Sequence, residues 1–251
     1  MTIMGEVREH FEVARRMYGK DRVLGTFLYG SQNYEINTEE SDVDTKTLIL
    51  PSLEDLATLK EATNIHHKEP EFSGIMEIKD FRVAFKEMAK GSFNGVELLF
   101  TDYSVINPEY YNIFAKLIAH REMIVESNCL GILNSVAGMA HKLYNLYTKG
   151  EANIKVVINL IRLSDFLTRY FERSHSYKLS LVPFAPDILK KLKTSNRDVS
   201  KLKEMVETAI TNVEKIEQFR PWCTNTPHIL TQTIPVTIMR QGLEKELKWN
   251  F

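Results

Sequence analysis

The sequence predicts an α/β N-terminal half, a short mixed sheet with helices, followed by a mostly α-helical C-terminal half. Two observations carry this. Before residue 100, β-rich apolar runs such as VLGTFLY (23–29) and DVDTKTLIL (42–50) alternate with polar turns. After Asn107-Pro108-Glu109, apolar residues recur at helical spacing through most of the remaining chain. The expected division is an α/β domain over 1–105 and a helical domain over 106–251, with the boundary near 101–107.

Each element has a local reason. Ile3, Val7, Phe11 and Ala14 share one face of an amphipathic helix over 3–17. VLGTFLY is a buried strand that ends at Gly30, and residues 30–40 are polar turn material. DVDTKTLIL returns to a strand, with Val43, Thr45, Thr47 and Ile49 on one face and Asp42 and Asp44 starting the other. Pro51 stops it. Ser52, with Glu54 and Asp55 behind it, reads as a helix N-cap with an acidic first turn. Residues 61–74 are expected to be irregular, GIMEIKD (74–80) a short strand, and DFRVAFKEMAKG (80–91) a helix opened by Asp80 and closed by Gly91. Asn107-Pro108-Glu109 supplies a cap, a proline at the first position and an acid. Helices are expected near 109–119, 122–148, 152–172, 187–194 and 198–218, and the tail TIPVTIMR (233–240) as a short terminal strand.

Bulk properties narrow the function. A chain of 251 residues, 43% apolar and 26% charged, can bury a proper core. The net charge of −1 gives no global basic field of the kind that binds nucleic acid, though a local basic face is compatible with it. Cys129 and Cys223 lie far apart and form no metal-ligand spacing, so they read as reduced thiols of a cytoplasmic protein. MTIMGEVREHFEVARR lacks the apolar stretch of a signal peptide, and no uninterrupted apolar run approaches the roughly 20 residues that span a bilayer. No membrane partner is expected, and oligomeric state is left open.

The chemistry concentrates in GSQNYEINTEESDVD (30–44). Alternate residues of a strand point to one side, so Asp42 and Asp44 would project together. Two carboxylates plus substrate phosphates are how Mg²⁺ (or Mn²⁺) is usually held. Gly30-Ser31 follows a strand, where backbone amides and a hydroxyl can cradle phosphate. Glu77, flanked by Met76 and Ile78 on a third strand, would add the carboxylate that completes a two-metal site. Asp80 is the nearby rival, better explained as a helix cap. A lone D-x-D is usually a solvated strand end; it is the ordered combination of strand, GS, D-x-D and apolar-E-apolar that points to nucleotidyl transfer.

FLYGSQNYEINTEESDVDTKTLIL resembles the signature of the DNA polymerase β-type nucleotidyltransferase superfamily. It is most similar to predicted nucleotidyltransferases of the YcgL type and their phage relatives, the RNA-ligase-associated RlaP proteins. The shared positions are Gly30, Ser31, Tyr34, Ser41, Asp42 and Asp44, then KGSFNGVELLF (90–100), then KVVINLIRL with Lys155, Arg162 and Leu163. The chain departs from that pattern at Phe93-Asn94, where NP is frequent, and at Asn159, where histidine is usual. The resemblance covers most of residues 23–165. It implies a Mg²⁺-dependent enzyme using a nucleoside triphosphate (NTP), with Asp42, Asp44 and Glu77 as catalytic metal ligands and Gly30 and Ser31 on the β- and γ-phosphates. It implies transfer of a nucleoside monophosphate (NMP) to a hydroxyl, an RNA 3′ end being the first acceptor to consider. The competing readings are AMP transfer to a protein or small molecule, and a nucleotide-binding module without turnover.

Other residues have two readings each. Lys155 and Arg162 lie seven apart, two helical turns, in an otherwise apolar helix; they would contact phosphates or form a solvated basic stripe. His141 and Lys142 are polar cleft residues or an exposed helix face. His66 and His67, near Glu69 and Glu71, read as a polar loop before a metal site. The run Lys190, Lys191, Lys193, Arg197, Lys201, Lys203 would bind a phosphate backbone or, more plainly, solvate its helices. Glu35, Glu39 and Glu40 are expected bystanders.

Overall fold

The computed structural model describes residues 2–70, 72–195 and 198–249. A five-stranded mixed sheet with helices is followed by a mostly helical region, the predicted fold class. The chain forms two compact units. The first holds Met1–Gly30, Ser41–Ile124 and Pro227–Phe251; the second holds Ser31–Glu40 and Val125–Thr226. The expected 101–107 boundary lies inside the first unit.

In the first unit, helix α1 (Ile3–Tyr18) precedes strands β1 (Val23–Tyr29) and β2 (Asp44–Ile49). Helix α2 (Leu53–Ala57), β3 (Asn64–His67), β4 (Met76–Asp80), α3 (Phe81–Ala89), α4 (Phe93–Val96), β5 (Ser104–Ile106) and α5 (Tyr111–Ala119) follow. The strand order is β3-β4-β2-β1-β5. β2 and β4 are parallel, and the other pairs are antiparallel. Thr2 caps α1 by accepting the Gly5 N–H at 3.1 Å. α1 buries Phe11, Val13 and Ala14 against Val23, Ile49, Met76 and Ile78, which form one face of the sheet. That face also carries a Thr26–Thr47 hydroxyl pair at 2.7 Å and the buried His10, whose Nδ1 lies 2.7 Å from Thr45 Oγ1. The other face packs Phe27 on Phe114 of α5, ring centroids 5.3 Å apart, and bears the acidic residues of interest.

The second unit is built on α7 (Cys129–Thr148), reached through α6 (Arg121–Ser127), with α8 (Ile154–Arg169), α9 (Tyr177–Leu181), α10 (Pro186–Thr194) and α11 (Lys203–Glu217). α7, α8 and α11 pack on one another, and Leu133, Val136, Leu160, Leu163, Val206 and Val213 on these helices are all buried. A last helix, α12 (Ile229–Trp249), belongs to the first unit, where it packs on α3. No single described helix is long and apolar enough to cross a membrane.

Several elements differ from expectation. The strand expected over 42–50 begins at Asp44, so Asp42 stands in the preceding loop. Its β1 neighbour ends at Tyr29, the partner of Asp44, and leaves no ladder beyond. Residues 64–67 form an exposed edge strand instead of irregular chain; NIHH has no apolar alternation to announce it. The helix expected over 122–148 is interrupted at Asn128, whose side chain accepts the Gly131 N–H at 3.1 Å and starts α7. TIPVTIMR is helix, not strand. Packing of α12 on α3 overrides its β-branched composition, and Thr233 and Thr237 turn their hydroxyls back onto helix carbonyls. Gly138 lies inside α7 with nothing within 4 Å of the position a Cβ would take. Gly138→Ala is therefore expected to stabilise the protein by about 0.5–1 kcal/mol, read as a higher urea midpoint at unchanged slope.

Candidate functional site

The site grows from the pairing of β1, β2 and β4. Tyr29 is opposite Asp44, and Phe27 is opposite Lys46. Across the parallel pair, Lys46 is level with Glu77 and Leu48 with Lys79. Alternation along each strand therefore puts Tyr29, Asp44, Lys46, Glu77 and Lys79 on one face, opposite the face that α1 covers. Asp44 is held by the chain that enters β4 and crowded by the turn after β1. Its Oδ1 accepts the Ile75 N–H at 2.9 Å, and its Oδ2 lies 3.7 Å from where a Gly30 Cβ would stand. Gly30 has φ +87, a backbone conformation that favours glycine.

A third acid joins these. Glu97, in the turn after α4, is almost fully buried, and its Oε1 accepts the Gly30 N–H at 3.3 Å. Burial raises the Tyr29 phenol far above its ordinary value, and the carboxylates of Asp44, Glu77 and Glu97 push it in the same direction. Three carboxyl side chains thus stand around one buried phenol, a local excess of acidic groups. Two lysines answer it. Lys46 Nζ donates to the Asn94 carbonyl at 2.7 Å and stands 4.7 Å from the Tyr29 ring centroid. Lys79 Nζ bridges Glu77 at 2.9 Å and Glu87 at 3.0 Å. Burial opposes the Lys79 charge, but the hydrogen bonds that it donates to Glu77 and Glu87 outweigh it and hold the ammonium above its ordinary pKa.

Of the residues expected at the site, Gly30, Asp44 and Glu77 come together on this face, and Asp42 is exposed one step outside the strand. Among the described residues no three carboxylate, histidine or cysteine side chains stand close enough to hold a metal by themselves. Asp44, Glu77 and Glu97 offer carboxylate oxygens, the donor type a hard divalent cation takes alongside phosphate and water. Asp80 caps α3 through the Arg82 N–H at 2.8 Å and pairs with the Arg82 guanidinium at 2.7 Å, the helix cap that the sequence suggested. Glu35, Glu39 and Glu40 are exposed.

Ser31, Lys155 and Arg162 belong to the second unit. There Arg162 is buried, its guanidinium carbon 3.8 Å from the Tyr34 ring centroid, which ties the GSQNY turn to α8. The Ser31 carbonyl accepts the Ile36 N–H at 3.2 Å. Lys155 is exposed at the start of α8, and Asn159 is half-buried. His141 pairs with Glu217 at 2.8 Å, while Lys142 is exposed. His66 is exposed on β3 level with Glu77, and His67 turns away to Glu69 at 2.9 Å; Glu71 lies outside the described residues. In the basic run, Lys191, Lys201 and Lys203 are exposed, Lys193 donates to the Ile36 carbonyl at 3.4 Å, and Arg197 lies outside the described residues.

Glu97, Tyr29 and Lys46 were not anticipated. Glu97 had a signal, a single acid inside the apolar run GVELLF. Tyr29 and Lys46 had none, because their place depends on strand register.

No protein-family model and no curated protein matches the chain. A solved structure of a nucleotidyltransferase-like protein from Exiguobacterium sibiricum 255-15 overlaps 82% of this chain and 74% of its own, at 14% identity and a TM-score of 0.32. A likeness that weak assigns neither fold nor activity.

The backbone beside Asp44 leaves no room for a side chain at Gly74. A Cβ there would lie 2.1 Å from the Val43 carbonyl oxygen and 2.9 Å from the Asp44 nitrogen. Gly74→Ala must part these segments and disturb the Thr45 N–H to Ile75 carbonyl bond of 3.0 Å. A loss of about 2 kcal/mol is expected in denaturant unfolding.

Proposed function

We propose that this chain transfers an NMP from an NTP to a hydroxyl acceptor, with an RNA 3′ end as the first acceptor to test. The supporting observation is the gathering of Asp44, Glu77 and Glu97 around Tyr29, beside the glycine turn that ends β1. Asp44 and Glu77, with Asp42 from the loop before β2, would hold Mg²⁺ or Mn²⁺. When bound, that cation would polarise the α-phosphoryl group and lower the pKa of the attacking hydroxyl. The Ile75 N–H keeps Asp44 in a single orientation. Glu77, restrained by Lys79, would receive the acceptor's proton. Gly30 lets the turn approach a triphosphate closely, and Ser31, the next residue, is the proposed hydroxyl donor to it.

A second reading has its own observation. Glu77 already has a buried cationic partner in Lys79, as suits a module that binds nucleotide without turning it over. Incubation of the whole protein with each α-labelled NTP, Mg²⁺ and RNA bearing a free 3′ hydroxyl separates the two. Label on the RNA, with pyrophosphate released, is the expected result. Label on protein or a small molecule would move the acceptor but keep the chemistry. NTP binding with no pyrophosphate from any NTP and acceptor would favour the module, and absence of binding would overturn both readings.

A further inference from the structure

Cys129 and Cys223, distant in sequence, meet in the second unit. Cys129 is the first residue of α7. Cys223 follows the short turn Arg220–Trp222 that closes α11. Thr224, the next residue after Cys223, donates its N–H to Cys129 Sγ at 3.2 Å, and its hydroxyl lies 3.2 Å from the same sulfur. The contact is part of a longer seam. Leu130 N–H donates to the Thr224 carbonyl at 3.0 Å, Thr226 N–H donates to the Ser127 carbonyl at 2.9 Å, and the Thr224 hydroxyl donates to the Glu126 carbonyl. Residues 126–130 and 223–226 therefore run side by side, and they lie at the two ends of the longer segment of the second unit, Val125–Thr226. Both thiols are free and partly exposed.

We propose that Cys129 and Cys223 form a reversible intramolecular disulfide that staples the two ends of the second unit together. The seam sets the backbone of Cys223 beside the Cys129 sulfur, since the N–H that reaches that sulfur belongs to the next residue, while the Cys223 thiol at rest donates to the Phe219 carbonyl at 3.4 Å and must leave it to close the bond. Burial, then the adjacent Cys129 thiol, pushes the Cys223 thiol up to about 12, so Cys223 keeps its proton in the resting pair. The sequence of steps follows. With oxidised glutathione as the oxidant, Cys129 sulfur, as thiolate, attacks one glutathione sulfur and expels a glutathione thiolate. Cys223 then gives up its proton and attacks the Cys129 sulfur, expelling the second glutathione as thiolate. Two protein thiols and one glutathione disulfide become one protein disulfide and two glutathione thiols. The Arg220 guanidinium beside Cys223 favours its deprotonation in the second step.

The test uses the whole protein in glutathione buffers of graded redox potential. The expected result is a monomer that loses both titratable thiols together and two hydrogens in intact mass. Its Tm should rise by about 9–18 °C, as expected for closing a loop of roughly 90 residues. Dithiothreitol should restore both thiols. Cys129→Ser and Cys223→Ser should each abolish the Tm shift. Two thiols persisting in oxidised glutathione, a stable adduct of one glutathione on one cysteine, or a disulfide between two chains would each overturn the proposal. Because the mass change is read on the unmodified chain, the outcome does not depend on either variant folding.

Discussion

Asp44→Asn is expected to lower kcat/KM for NMP transfer about 10³-fold, roughly 4 kcal/mol of transition-state stabilisation. The substitution keeps the side chain's shape and the oxygen that accepts the Ile75 N–H, while removing the negative charge. The fold should survive: Asp44 sits at the first residue of β2, and the ladder contacts of Thr45 onward are untouched. A small change in Tm with a large loss of pyrophosphate release would identify a chemical role. Asp42→Asn is the informative companion, because Asp42 is exposed and lies outside the strand. If both variants retain wild-type turnover, the carboxylate face is not the reaction centre. If only Asp44→Asn fails, Asp44 carries the site without its D-x-D neighbour.

The second large effect concerns stability against pH. His10 is fully buried on the α1 face of the sheet, its Nδ1 bound to Thr45 and its ring edge-on to Phe72, centroids 4.5 Å apart. Burial, then the neighbouring His67, holds its imidazole down to about 4. In the unfolded chain the same group takes its proton near pH 6.5. Between those values the unfolded state binds the extra proton, so stability falls as the pH is lowered from about 6.5 to 4, and it is fully present above that window. The size is about 3 kcal/mol. Denaturant midpoints across pH 4–8 should show the slope in wild type. His10→Gln, which cannot titrate, should flatten it by most of that amount; an unchanged slope would show that His10 is not its source. His228, also held below its ordinary value by burial and then His120, contributes in the same direction and remains in the variant.

The sequence was informative where a local rule acts alone. Ser52, Asp80 and Asn107 cap as their side chains suggest, and the buried run VLGTFLY is a strand. The common face of Asp44 and Glu77 was foreseeable, because alternation on two apolar strands flanked by turns leaves few other arrangements. What failed to show depends on partners far away in the chain. The edge strand at 64–67 exists because β4 offers it a ladder. The helix at 229–249 exists because α3 offers it a surface, against the preference of TIPVTIMR. Lys79 was invisible as the partner of Glu77 until α3 brought Glu87 to the same ammonium. The cysteines looked unrelated for the same reason, since only the seam between residues 126–130 and 223–226 puts them together.

The discontinuity of the two units bears on how the protein is made. During synthesis the ribosome releases the chain at about 5–20 residues per second. All five strands have left it before the second unit is half emerged, yet the first unit still lacks α12. Leu50 stays without its neighbour at Gly242, and α3 without its packing surface, until α12 appears. The second unit has by then all of its segments, including residues 31–40. The half of the protein that begins first is thus the last to be completed, and the sheet bearing Asp44 and Glu77 waits for the C-terminal helix.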